Sequence, residues 1–171
     1  MNRAVLLLGS NLGNASENLE KAIRLILERI GSLEEISSVY ETKPWGFKHE
    51  NNFLNQVLVI KTKENPLNLL RLILEIEKEL GRVRAGDVYK ARTLDIDILY
   101  YNDVVLDHAH LKIPHPLLHI RKFTMVPLVE VLPDYIHPVL NKTNKELLED
   151  CKDDSEVKLL KKAAIDSMKK K

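Results

Sequence analysis

The chain has 171 residues, a formal net charge of +1, 44% hydrophobic and 30% charged residues, which fits one domain with a sizeable core. No broad electrostatic field marks it as a binder of nucleic acid or of a membrane surface, so any positive site must be local. Cys151 is the only cysteine and sits among polar neighbours; it excludes an internal disulfide and a thiolate zinc site, and it reads as incidental.

In chain order, residues 3–9 form an apolar run of strand length that ends in Gly9-Ser10-Asn11. The run is too short for a signal-peptide core or a bilayer span, which places the expected location in the cytoplasm. A helix follows, with Asn14 or Ser16 as candidate N-cap and Leu19, Ala22, Ile23, Ile26, Leu27 and Ile30 at helical spacing; Gly31 is a natural stop. Residues 36–42 predict a second strand, 43–52 a polar connection, and 53–62 a third strand. Asn65-Pro66 opens a second helix that runs to Leu80 and stops at Gly81. Residues 82–92 lack periodicity and predict a loop; 94–101 alternate as a fourth strand, and Asn102-Asp103 turns it into a hairpin with Val104-Val105-Leu106. A short helix is expected to begin near Pro127. Residues 142–171 read as one or two polar helices with Val157, Leu160, Ala164 and Met168 on one side, an extension of the domain formed by 1–141. The order β-α-β-β-α-β predicts a ferredoxin-like α/β (α+β) fold with an added hairpin and C-terminal helices.

Asp95 and Asp97 stand two apart in the fourth strand and so share a face, with Leu94, Ile96 and Ile98 on the other. Carboxylates roughly 6–7 Å apart on one strand face can share a hard cation, and Mg²⁺ typically takes one or two of them beside water and substrate phosphates. The alternative is a solvated polar face, although Asp is a poor strand former. Immediately before the pair come Arg82, Arg84, Lys90 and Arg92. Guanidinium groups grip phosphate oxygens bidentately and stay charged at any working pH, so the combination points to a polyphosphate site.

Trp45, the only tryptophan, lies in the polar connection after Pro44, where such a ring either caps a pocket or packs on the domain surface. Phe53, Asn55, Val57 and Val59 share a face of the third strand. A ring beside a carboxamide suits a planar, hydrogen-bonding ligand, and a structural partner for the amide is the alternative. The glycine segment 9–13 has no Gly-Lys-Ser/Thr ending, and there is no G-x-G-x-x-G or kinase signature. His115 and His119 are four apart, but Pro114 and Pro116 argue against a helix that would make them zinc ligands.

Seven segments, LLLGSNLGN (6–14), SSVYETKPWG (37–46), FLNQV (53–57), IEKELGRVR (76–84), RTLDIDIL (92–99), IPHP (113–116) and RKFTMVPLVEV (121–131), together resemble the 6-hydroxymethyl-7,8-dihydropterin pyrophosphokinase family. The resemblance implies transfer of the β,γ-pyrophosphoryl group of ATP to the pterin hydroxymethyl oxygen with release of AMP, in folate biosynthesis, with two Mg²⁺ ions. It implies that Asp95 and Asp97 ligate the metals and that Arg82 and Arg92 act on the transferring phosphates. The motifs hold no obvious strong base, which leaves Asp97 or a water at the metal to accept the proton. Glu77, Arg84, Tyr89, Ile98, His110, Lys112, His115 and Arg121 fall at its ATP positions. Thr42, Pro44, Trp45, Phe53, Asn55 and Phe123 fall at its pterin positions, with the two phenylalanines sandwiching the ring. The chain departs from the family at Tyr89-Lys90-Ala91, where Trp-Gly-Pro is common, and at Leu74, where a polar residue can meet the adenine. Two other readings are a nucleotide- or pterin-binding protein without turnover and an interaction protein working through its tail. With nine lysines against seven acidic residues over 142–171, that tail reads as solvated rather than as a nucleic-acid arm. Oligomeric state is left open.

Overall fold

The structure, a computed structural model, describes residues 1–43, 52–81 and 94–163. Strand β1 (Asn2–Ser10) leads to helix α1 (Ala15–Arg29), and β2 (Gly31–Ile36) and β3 (Val39–Thr42) precede β4 (Phe53–Thr62). Helix α2 (Pro66–Glu79) and strand β5 (Asp95–Tyr101) complete the core. The sheet order β5-β1-β4-β3, with β2 also on β4 and every pairing antiparallel, is the ferredoxin-like arrangement. Among the described residues no helix is long and apolar enough to cross a membrane.

Local chemistry sets the helix starts. Asn14 accepts the amide of Glu17, which resolves the choice of cap, and Asn65 accepts that of Asn68 with Pro66 in the first turn. Gly81 closes α2 in the left-handed region at φ 97°. Gly31 follows α1 as expected, but space rather than conformation selects it. It opens β2, and a Cβ there would meet the Lys61 carbonyl oxygen at 2.2 Å.

The sheet buries both faces. Leu6, Leu8, Leu58, Ile60, Ile96 and Ile98 pack under α1 and α2 with Ile23, Ile26, Leu69 and Ile73. Val5, Leu7, Val57 and Val59 pack on the opposite side against Met125 and Leu128 of α3 (Lys122–Val131) and Leu147 of α4 (Asn144–Asp150). Strand β5 carries a bulge: Leu6 faces Ile98 but Val5 faces Tyr100, so Leu99 is the extra residue. Leu99 and Tyr100 both join the second core and Tyr101 the first.

Four expectations are corrected. The strand predicted over 36–42 is two strands, broken where Ser37 inserts its hydroxyl to accept the Val57 amide at 2.8 Å and Ser38 donates its amide to Glu130 at 2.8 Å. The hairpin expected from β5 into 104–106 does not form. Asn102, at φ 49°, is held to β1 by bonds exchanged with Arg3, and pairing resumes between β6 (Leu106–Asp107) and β7 (Lys112–Ile113). Helix α3 starts at Lys122, well before Pro127, because its cap is not local: Asp153 accepts the Lys122 amide at 3.0 Å. The tail contains one short helix, α4, and then a strand, β8 (Lys158–Lys161), which pairs with β3. Backbone groups at the open side of β3 outweigh the helical spacing of Val157 and Leu160; Ala164 and Met168 lie outside the described residues.

Candidate active site

Three strands place the site. Gly9 lies opposite Asp95 on one side and Asn55 on the other, and the next row of the same face is Asp97, Leu7 and Val57. Leu7 and Val57 belong to the core under α3 and α4, so strand alternation puts Asp95, Asp97, Gly9, Asn55 and Phe53 on that face, beyond its apolar part. Both aspartates are half-buried, whereas Leu94, Ile96 and Ile98 are buried in the helix-side core. The division of β5 into a carboxylate face and an apolar face therefore matches the sequence reading.

Gly9 is the floor between the carboxylates and the carboxamide. A Cβ built there would stand 3.0 Å from Asn55 Oδ1, so only glycine leaves that amide undisturbed. Asn55 is 5% exposed, and its side chain makes no hydrogen bond among the described residues. A carboxamide placed so can give up its contact with water for the edge of a planar, hydrogen-bonding ligand. Thr42, also buried, pairs with Phe53 at the end of β3.

The opposite wall comes from the α3 start. Arg121 holds its guanidinium 5.7 Å from the Phe123 ring centre, within cation–π range, and Phe123 packs partly onto the second core. His115 is anchored by its amide to the Leu99 carbonyl at 3.0 Å and by its Nδ1, which accepts the Leu117 amide at 3.1 Å. Burial lowers the His115 pKa, the Arg121 charge lowers it further, and Asp95 opposes both. Asp95, His115 and Arg121 thus share one electrostatic neighbourhood, although they are far apart in sequence.

The other nucleotide candidates are placed differently. Glu77, one of the residues expected at ATP, is 1% exposed, and one carboxylate oxygen accepts the Ile96 amide at 2.8 Å, which ties α2 to β5. The Ile98 side chain is in the core. Ile96 turns its amide away from β1, and by the two-residue period the Ile98 N–H and C=O face the same open edge. His110 is exposed with its ring 5.6 Å from that of His108. Lys112 is exposed and reaches Asp107 at 3.8 Å. Pro44, Trp45, Arg82, Arg84, Tyr89 and Arg92 lie outside the described residues.

Sequence reasoning overlooked Gly9 as a floor and Glu130 as a tie. Glu130 accepts from the Ser38 amide and from the Tyr40 hydroxyl, which joins α3 to β3. Burial together with Glu130 raises the Tyr40 pKa, so its proton stays in that bond.

The profile of the family described as 7,8-dihydro-6-hydroxymethylpterin-pyrophosphokinase (HPPK) matches residues 5–133. A protein of Aquifex aeolicus named 2-amino-4-hydroxy-6-hydroxymethyldihydropteridine pyrophosphokinase is 46% identical over 139 residues, covering 81% of this chain and 86% of its own. The folic acid synthesis protein fol1 of Schizosaccharomyces pombe is 38% identical over 149 residues, which cover 85% of this chain but 20% of that larger protein. Among solved structures, wild-type Plasmodium falciparum HPPK-DHPS aligns with a TM-score of 0.71 over 87% of this chain and 43% of its own; at 21% identity that likeness concerns the fold. With the family profile spanning most of the sequence, the chain belongs to the 7,8-dihydro-6-hydroxymethylpterin-pyrophosphokinase family.

Proposed function

We propose that this chain transfers pyrophosphate from ATP to 6-hydroxymethyl-7,8-dihydropterin, giving AMP and the pterin diphosphate, a step of folate synthesis carried out in the cytoplasm. The observation that carries the reading is the row Asp95–Gly9–Asn55. It sets a hard-cation ligand and a carboxamide whose side chain has no hydrogen-bond partner among the described residues on either side of a floor that has no side chain.

Asp95 and Asp97 fit Mg²⁺: both are oxygen donors on one face, and a pair of carboxylates leaves positions for water and phosphate. Two such ions would neutralise the phosphates and polarise the reacting oxygens. In this reading Asn55 hydrogen-bonds the pterin edge, Phe53 and Phe123 stack on its faces, and Thr42, Pro44 and Trp45 complete that pocket. Arg121 and His115 border the ATP phosphates with Arg82, Arg84 and Arg92. The backbone of Ile98 meets the base at the open edge of β5, with Tyr89, His110 and Lys112 nearby.

The pterin oxygen attacks the β-phosphorus in line and AMP leaves. Such transfers ask the protein for position and electrostatic stabilisation more than for covalent chemistry. The test is incubation with ATP, Mg²⁺ and the hydroxymethyl dihydropterin. AMP with pterin diphosphate is expected. ADP would replace the reading with ordinary phosphoryl transfer, and binding of both substrates without AMP would make the chain a binding protein.

A further inference from the structure

Residues 151–161 cross between the two walls assigned above to the pterin, and that assignment is the reading on which this inference rests. Asp153 Oδ2 accepts the Lys122 amide at 3.0 Å, the first helical residue of α3, between Arg121 and Phe123. The α3 N-cap residue, Arg121, makes no side-chain cap bond of its own, so this carboxylate, far along the chain, supplies the cap and meets the positive end of the helix. Asp153 is itself fixed, because Oδ1 accepts the Ser155 amide at 3.0 Å and the Ser155 hydroxyl as well.

From there the chain reaches β8, where Leu159 pairs with Tyr40 and Lys158 with Glu41 of β3. The next residue of β3, Thr42, pairs with Phe53. One short segment is therefore bonded at one end to the helix start that carries Phe123 and at the other to the strand beside Phe53. The far part of α3 is joined to the same strand separately, through Glu130 to Ser38 and Tyr40. The family profile ends at residue 133, so this connection is made by sequence beyond the matched region.

We propose that residues 151–161 act as a strap that sets the gap between Phe53 and Phe123, with Asp153 as a positioning residue for the pterin. The strap touches neither substrate. It ties the first turn of α3 to the strand beside Phe53, and a site that must receive a flat ring between two aromatic side chains is sensitive to shifts of about half an ångström. Of the residues assigned to ATP, Arg121 alone adjoins the strap, as the α3 N-cap; among the described residues β5 and its open edge are not bonded to it.

The experiment compares Asp153→Ala and Asp153→Asn with the unaltered chain, using direct binding of 6-hydroxymethylpterin, steady-state kinetics for both substrates, and thermal melting. Asp153→Ala is expected to raise the pterin dissociation constant and KM roughly fivefold, the factor that losing one helix cap represents, with a distinctly smaller rise in the KM for ATP, transmitted through Arg121. Asp153→Asn keeps an acceptor for the Lys122 amide and is expected to restore most of the pterin affinity. Should Asp153→Ala fail to fold, Ser155→Ala releases the carboxylate from its own anchor and is expected to raise the pterin constant above all, by a smaller factor. Equal losses for ATP and pterin, or an unchanged pterin constant in a folded Asp153→Ala protein, would overturn the strap. If the unaltered chain does not bind the pterin, the functional reading falls first and the strap with it.

Discussion

The Glu77 carboxylate on α2 accepts the backbone amide of Ile96 at 2.8 Å, and Ile96 is the residue between the two aspartates. A nearly fully buried acid thus braces the short piece of β5 from which both proposed metal ligands project. Glu77→Ala leaves that amide without this acceptor, at a cost of about 1–3 kcal/mol in stability. It is also expected to raise the Mg²⁺ concentration needed for half-maximal rate about tenfold, because the aspartates lose their common backing. Glu77→Gln retains an oxygen acceptor and should recover most of the melting temperature. Magnesium titrations of AMP release decide the matter, and an unchanged Mg²⁺ requirement in Glu77→Ala would separate the brace from the metal site.

Asp97→Ala tests the carboxylate pair itself. Asp97 is half-buried on the face opposite the helix-side core, so the fold should survive its loss. Turnover is expected to fall roughly a hundredfold or more, as for removal of a group that stabilises transition-state charge. Far-ultraviolet circular dichroism and AMP release measured together check both halves of the expectation.

Gly9→Ala probes the floor. The new methyl group would lie 3.0 Å from Asn55 Oδ1, so the amide must move by a few tenths of an ångström or the strands must part. Overpacking of this kind typically costs about 1–3 kcal/mol, and here the displaced group is the proposed reader of the pterin edge. The KM for pterin should therefore rise about tenfold while the KM for ATP stays close to its starting value.

His137 gives a pH signature remote from the chemistry. It is buried, its Nδ1 accepts the Val139 and Leu140 amides at 3.1 and 3.0 Å, and its ring is 6.2 Å from that of His119. Burial, with a smaller contribution from His119, pushes its pKa down to about 4 from an ordinary 6.5. The unfolded chain therefore binds a proton there between these values when the folded chain does not, and stability falls as pH drops through that window. On the order of 3 kcal/mol is at stake over the interval. In His137→Asn the amide oxygen can still accept from the turn but does not titrate, so the difference in unfolding free energy between the two proteins should narrow from pH 7 to pH 4. A constant difference would contradict the assignment.

The parts of this molecule that could be read from sequence are those set by local rules. Asn14 and Asn65 cap helices through their own side chains, and β5 divides its faces by simple alternation. The parts that were misread depend on partners distant in the chain. The α3 start is capped from Asp153, β8 is recruited by an open strand edge, and Ser37-Ser38 breaks a strand to meet Val57 and Glu130. The site divides in the same way. Asp95 and Asp97 announce themselves by spacing, whereas Gly9 acquires its meaning only beside Asn55, and the meeting of Asp95, His115 and Arg121 requires the fold.

The bulge at Leu99 carries a consequence for how this sequence can vary in length. Before it, odd positions of β5 face the site and even ones the helix-side core; after it, Tyr101, an odd position, lies in the helix-side core. The two ends of the strand therefore keep separate parities. Removing a single residue between Ile98 and Tyr100 would restore a regular ladder and at the same time force one end to exchange faces, sending either the aspartates into the helix-side core or each tyrosine into the other's core. Substitutions along β5 can be absorbed one at a time, but a change of one residue in its length cannot, so β5 should be among the segments of this chain least tolerant of insertion and deletion.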